Sequence, residues 1–313
     1  MRRLALFSAT AALCAALASP VLAQDQTPVP DPDSVVIDDI DVLGDRTQPT
    51  LQQRVDAFVN TVAAPVGNYG PARWHRTLCI GSANFQAEAA RQLIDRVATV
   101  AAQVGLRPDA PGCAAQVMIV ATNDGPATAT AMVERNQRWF RAGGEGMDQG
   151  EAALERFKTS DRAVRWWQVS LPVDADTGQR AVRLPGDDPS SSIAINKFVA
   201  SRLASAIRDN LTRIMIIVDI EKLGDVSFTQ LADYVALLSL AQIDAEAVTT
   251  GSDTVLNLFE DPAGVSGLTD WDMAYLQGLY GARLDTVSTN ARMGDVERGM
   301  ERRERARQAG DVE

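Results

Sequence analysis

The chain has 313 residues, of which 46% are hydrophobic, a formal net charge of −11 and a single histidine, His75. An acidic surface disfavours binding to nucleic acid and to anionic lipid. One histidine cannot supply the paired ligands of an HExxH zinc site, and a Ser-His-Asp triad would have to use His75. The length is sufficient for one large domain or two small ones with a real core.

Residues 1–23 have the pattern of a secretory signal peptide. Arg2 and Arg3 precede a short apolar run over residues 4–17, and small residues stand at the −3 and −1 positions of a cleavage site. A retained membrane anchor is the alternative, but this run is shorter than the roughly 20 apolar residues that a span requires. We therefore predict a mature chain that starts at Gln24, has no membrane span, and lies in the periplasm or is secreted.

Residues 24–50 are predicted to form a flexible N-terminal arm. Residues 24–33 are polar and rich in proline. Residues 34–46 alternate apolar and acidic side chains, and they resemble the short box by which outer-membrane receptors contact their energy-transducing partner. An edge strand or a flexible arm is the alternative interpretation.

Two cysteines remain in the predicted mature chain, Cys79 and Cys113. An even cysteine count in an exported protein favours a disulfide, which would contribute about 3–4 kcal/mol by restricting the unfolded chain. The alternative is a catalytic thiol at Cys79 assisted by His75, but the acidic surroundings do not favour a thiolate.

Helical and strand-like hydrophobic patterns alternate along residues 51–283, which we predict to be one globular domain. These patterns predict a helix over 51–63, a strand over 76–80, a helix over 86–104, a strand over 115–121, a helix over 127–140, strands over 164–173 and 180–184, a helix over 193–211, a strand over 213–220 and helices over 228–243 and 269–280. The alternation predicts an α/β (α+β) fold, in which helices pack on a mixed, twisted sheet.

Three shorter segments complete the prediction. Thr269 is placed to cap the last core helix, with Asp272 three residues on. Residues 174–178 begin like a calcium loop but lack its third acid and its closing glutamate, and a hairpin turn is the simpler interpretation. Residues 284–313 are charged and poor in large apolar side chains, which predicts a solvated helix or a disordered tail.

The C-terminal half resembles the core of zincin metalloproteases. RIMIIVDI is followed by QLADYVALLSLAQID and then by GLTDWDMAYLQGLYG. The last segment is similar to the closing helix LSxxDxxxLxxLYG of matrix-metalloprotease-like domains. The matching positions in this sequence are Leu268, Asp272, Leu276, Leu279, Tyr280 and Gly281.

Alignment with HExxHxxGxxH places Ala232, Ala236 and Gln242 at the three zinc-ligand positions. Alanine has no donor atom, so the resemblance implies a degenerate zincin without metal or cofactor. Asp233 occupies the general-base position and is the catalytic candidate that the resemblance implies. The chain is also similar to a family of uncharacterised exported bacterial proteins. The alternative interpretation of the segment is an ordinary buried amphipathic helix.

Trp166, Trp167 and Arg165 are the candidate binding residues. Neighbouring side chains of a strand face opposite sides of a sheet, so one indole would enter the core and the other would meet solvent or a partner. An exposed tryptophan beside Arg165 suits glycan or peptide binding. The alternative is that a second layer of structure covers that face. In zincins the edge strand pairs with extended peptide, so the resemblance implies the same mode here.

From these patterns we expect an exported protein that binds a peptide or protein partner without catalysis. The alternative is a hydrolase that uses acidic residues, with or without an oxygen-ligated metal. Acidic side chains are frequent in the C-terminal half, and the candidates for such a role are Asp219, Glu221, Asp233, Asp244, Asp270 and Asp272.

Overall fold

A computed structural model describes residues 48–66, 70–140, 149–181, 204–283, 285–286 and 288–310. The predicted signal peptide, most of the predicted arm and the segment 182–203 lie outside these residues. In chain order the elements are α1 (Leu51–Val62), β1 (Thr77–Leu78), β2 (Ile80–Ala83), α2 (Ala87–Gln103), β3 (Arg107–Pro108), β4 (Val117–Thr122), α3 (Gly125–Arg135), α4 (Gln137–Phe140), α5 (Glu151–Thr159), β5 (Val164–Asp174), β6 (Ile207–Asp219), α6 (Phe228–Leu240), α7 (Asp270–Gly281) and α8 (Thr289–Ala309).

Four strands form a mixed sheet in the order β2-β4-β6-β5. The first three are parallel, with Val120 opposite Ile217, and β5 is antiparallel to β6, with Trp167 opposite Met215. The short strands β1 and β3 form a separate parallel pair. The fold is therefore of the α/β class with a mixed sheet, as predicted, and β5 is an edge strand of it.

Helices cover both faces of the sheet, because the buried strands alternate their side chains between two apolar clusters. Ile216 and Trp166 belong to the larger cluster, together with residues of α1, α2, α6, α7 and α8. Met215 and Trp167 belong to the smaller cluster, together with residues of α3, α4 and α5. The sheet thus has no bare apolar face among the described residues.

Local hydrogen bonds define where three of these helices begin. Capping boxes at the starts of α1, α6 and α7 satisfy backbone N–H groups that have no partner within the helix. The box of α7 is the predicted one, in which the Thr269 hydroxyl accepts from the Asp272 N–H.

The predicted disulfide is present. Cys79 lies between β1 and β2, Cys113 lies in the turn before β4, and their Cα atoms are 6.0 Å apart. The Cys79 N–H also donates to the Gln116 side chain at 3.1 Å. These links fix the entry of two neighbouring parallel strands.

The charged C-terminal segment differs from the solvated helix or disordered tail that we expected. Its helix α8 packs on α1 and α7 and buries Met293, Val296 and Met300. Gly278 allows the close approach of α7 and α8, because a Cβ atom there would lie 2.7 Å from the Val296 carbonyl oxygen. Three buried apolar residues among many charges give a weak hydrophobic pattern, which explains the error.

The region from 193 to 211 is also corrected. Residues 207–211 belong to β6, whereas we predicted them as the end of a helix, and residues 193–203 lie outside the described part. Arg208, Asp209 and Asn210 interrupt the strand pattern, but pairing with the long strand β5 places them in the sheet. Arg180 makes one bridge to Val173, and the rest of the predicted strand 180–184 is largely undescribed.

Candidate functional site

The helix that aligns with the zincin motif is α6, and its ligand positions lie in the packed interior. Ala232, Ala236 and Gln242 are 4%, 0% and 1% exposed. The Gln242 side-chain oxygen accepts from the Ala72 N–H at 3.2 Å. These positions face neighbouring backbone and apolar side chains, so they offer nothing to a metal or a substrate.

Asp233 is buried as well, and its carboxylate is fully engaged. It pairs with Arg96 of α2 and accepts from the Leu268 N–H at 2.9 Å. Asp233 therefore holds α2, α6 and the segment before α7 together, and we assign it no catalytic role. Among the residues that the structure describes, no cluster of histidine, cysteine, aspartate or glutamate side chains could hold a metal ion.

Both tryptophans of β5 are buried, so the expectation of one exposed indole is wrong and the alternative, a second layer of structure that covers that face, is confirmed. The Trp166 indole N–H donates to the Ile243 carbonyl at 2.9 Å on the α6 side of the sheet. The Trp167 indole N–H donates to the Phe140 carbonyl at 2.8 Å on the other side. Helix α5, which we did not predict, belongs to the layer that covers Trp167.

Arg165 is 2% exposed and lies at the end of α5. Its guanidinium donates to the carbonyl oxygens of Phe157 and Lys158, both at 3.2 Å. Burial lowers the pKa of Arg165, and the nearby carboxylate of Asp219 opposes that shift. Gly125 makes room for this side chain, because a Cβ atom there would lie 2.7 Å from the guanidinium. Arg165 is thus a structural cation that closes α5.

The outer edge of β5 carries backbone groups that the sheet does not use. The Asp219 N–H donates to the Ala163 carbonyl at 2.8 Å, so residues 163 and 219 are a hydrogen-bonded pair of the ladder. Hydrogen-bonded and non-bonded pairs alternate in an antiparallel ladder. The backbone groups of Val164, Trp166 and Gln168 therefore point away from β6, and we call these three residues the open edge.

Beyond the open edge, the same strand is covered. The Ala181 N–H donates to the Pro172 carbonyl at 2.8 Å, and the Asp174 N–H donates to the Gln179 carbonyl at 2.7 Å. No described residue makes such a bond to the backbone of the open edge. The unpaired stretch therefore spans residues 164–168.

Two cavities lie beside the open edge. The narrow cavity has a volume of about 60 Å³ and lies between α5 and residues 243–246; Arg165 and Trp167 line it. The wide cavity has a volume of about 330 Å³ and includes Tyr234 and Phe259 in its wall. Both cavities share the residues Arg162, Trp166, Asp244 and Ala245.

The structure thus brings three predicted site residues, Arg165, Trp166 and Trp167, to one groove and leaves Asp233 in the core. It adds Tyr234 and Phe259, which the sequence analysis did not single out. Tyr234 looked like one more core residue of an apolar helix, and only the position of Phe259 against its ring, with centroids 5.1 Å apart, reveals their common wall.

Comparisons with known protein families, with curated proteins and with solved structures found no significant match. Helices long and apolar enough to cross a membrane do not occur in the part of the chain that the structure describes.

Proposed function

We propose that this chain is a non-catalytic binding protein that takes up an extended peptide segment of a partner protein along the open edge of β5. The observation that carries the proposal is the unpaired backbone of Val164, Trp166 and Gln168 beside two cavities. An edge strand can receive another chain as an additional strand, with main-chain hydrogen bonds supplying affinity and pockets supplying specificity.

The rigidity of β5 supports this proposal. Gln168 donates from its side chain to the Leu238 carbonyl at 3.1 Å and accepts from the Ile243 N–H at 3.0 Å. Together with the two indole hydrogen bonds, these contacts fix the strand against both layers. Val164, Trp166 and Gln168 are only 1%, 8% and 3% exposed, so a peptide reaches their backbone by displacing neighbouring residues of the cavity walls. The fixed conformation of β5 means that the strand itself loses little conformational entropy on pairing.

The resemblance to degenerate zincins supports the same binding mode, because zincins pair extended peptide with an edge strand. The alternative, a hydrolase based on acidic residues, has less support, because Asp233 is committed to Arg96 and to the Leu268 N–H. An exported location forms part of the proposal, and the Cys79–Cys113 disulfide supports it, since disulfides persist in oxidising compartments.

The test is selection of a displayed random peptide library on the full chain, followed by N-methylation of a selected peptide at each backbone position. We expect methylation of alternate residues to weaken binding by about tenfold or more, because only every second peptide N–H meets the edge. Methylation that is harmless at every position, or a selection that returns no peptide, would contradict the proposal.

A blocking variant locates the site. Ser160→Trp places a large side chain in the wall of the narrow cavity, and we expect it to reduce peptide affinity. The matched control is Ser252→Trp in a separate cavity near α1, which should leave affinity unchanged. Equal effects of both variants would place the peptide elsewhere.

A further inference from the structure

Tyr234 is a largely buried polar side chain that lines the wide cavity and forms no hydrogen bond with the described part of the chain. It is 6% exposed, and its ring packs edge-on against Trp166 and Phe259, with centroid distances of 6.3 and 5.1 Å. No described residue forms a hydrogen bond with its hydroxyl, and Tyr234 lines the wide cavity. Because Tyr234 is part of the cavity wall and its hydroxyl has no protein partner among the described residues, the hydroxyl is placed to meet a group that enters the cavity.

The wall of the wide cavity carries more negative than positive charge. Its two cations are already paired: Lys222 with Asp161, and Arg162 with Glu246 at 3.0 Å. Two further carboxylates of the wall, Asp244 and Glu260, form no ion pair with any residue in the described ranges. The negative charge of these two groups is therefore available to a ligand.

Aromatic rings and unpaired carboxylates together select one kind of ligand group. Aromatic rings attract cations and pack against methylene chains. Carboxylates and a hydroxyl oxygen accept hydrogen bonds from an ammonium or a guanidinium, whereas an acidic side chain would be repelled. Burial and the charge of Glu260 raise the pKa of Tyr234, so its hydroxyl stays neutral and keeps a lone pair to accept such a bond.

We infer that the wide cavity binds a basic side chain, lysine or arginine, of the peptide that pairs with β5. This inference rests on the proposed function and gives it a specificity: the cavity borders Val164 and Trp166 of the open edge, so a side chain of the added strand can enter it. Its volume of about 330 Å³ lies within the usual range of ligand pockets.

The first arm of the test uses the peptides selected on the full chain. We expect lysine or arginine at one fixed position, and we expect replacement of that residue by norleucine to weaken binding by about tenfold. Selected peptides without a basic residue at any fixed position would overturn this inference and leave the proposed strand addition standing. Absence of any selected peptide would overturn both.

The second arm uses variants of the protein. Glu260→Lys should weaken the affinity for the lysine peptide by about tenfold and leave the affinity for the norleucine peptide unchanged. Glu260 is exposed, so its replacement does not disturb the core. The matched control Glu134→Lys, on the exposed side of α3, should change neither affinity. Equal weakening of both peptides by Glu260→Lys would show that the residue acts on the peptide as a whole and would overturn the inference.

Discussion

Helix α6 and the open edge of β5 both consist of buried residues, but they differ in whether their polar groups have hydrogen-bond partners. Asp233 of α6 and the side-chain oxygen of Gln242, two residues after the helix, have partners that fix α6 in the core. At the edge of β5, backbone groups and the neighbouring Tyr234 hydroxyl have none among the described residues. The paired groups of Asp233 stabilise the fold, whereas the unpaired groups beside the wide cavity are placed where a ligand could pair with them. The candidate binding site is therefore the open edge of β5 and not helix α6, which the zincin alignment had indicated.

The largest effect is expected from restoring a zinc ligand to α6. Ala236→His would place a large polar side chain at a position that is 0% exposed. Overpacking and an unsatisfied imidazole should together lower the free energy of unfolding by about 4 kcal/mol. Urea denaturation measures the loss. A stable Ala236→His variant that retains stoichiometric zinc after dialysis would contradict the placement of α6 in the core.

A smaller loss is expected when Asp233 is removed. Asp233→Ala leaves Arg96 without its carboxylate and the Leu268 N–H without an acceptor. We expect destabilisation by about 2–3 kcal/mol. This loss is smaller than that for breaking a fully buried ion pair, because the Arg96 side chain is 35% exposed. A double-mutant cycle with Arg96→Ala isolates the pair, and a coupling near zero would show that the two residues act separately.

Asp209 of β6 should make the free energy of unfolding depend on pH. Burial raises its pKa to about 7, against the opposing effects of Arg292 and of the Ser170 hydroxyl. Between pH 4 and 7 the folded protein therefore holds a proton that the unfolded chain has released, so stability should fall as pH rises through this window and level off above it. Denaturation across this window should show a flatter profile for Asp209→Asn, and an identical slope in both proteins would contradict the assignment.

The smallest change in stability is expected at Tyr234. Tyr234→Phe should change the free energy of unfolding by less than about 0.5 kcal/mol, because its hydroxyl has no partner to lose. Its matched control is Tyr280→Phe, which should cost about 1–1.5 kcal/mol, since the Tyr280 hydroxyl donates to the Leu240 carbonyl at 2.8 Å. Equal losses from both variants in thermal unfolding would mean that Tyr234 is satisfied in the free protein.

Much of this architecture could be predicted from patterns local to the chain. The buried strands β4 and β5, the amphipathic helix α2 and the cap of α7 follow from hydrophobic periodicity and a short motif. The Cys79–Cys113 disulfide follows from cysteine count.

The candidate site could be predicted only in part. Arg165, Trp166 and Trp167 were identified as a group, but their burial depends on α5 and on residues 243–246, which lie far apart in sequence. Which strand forms the edge depends on sheet order, and sheet order is a property of long-range pairing that no local pattern encodes. The partnerless state of Tyr234 is likewise visible only when every neighbour has been placed.

Amide hydrogen exchange along β5 is the most direct test of strand addition at the open edge. In the free protein, we expect the N–H groups of Trp166 and Gln168 to exchange faster than that of Trp167, which belongs to the hydrogen-bonded register with Met215. A selected peptide should then slow exchange at Trp166 and Gln168 and leave Trp167 unchanged. Equal protection of all three amides in the free protein, or no change on binding, would contradict strand addition at this edge.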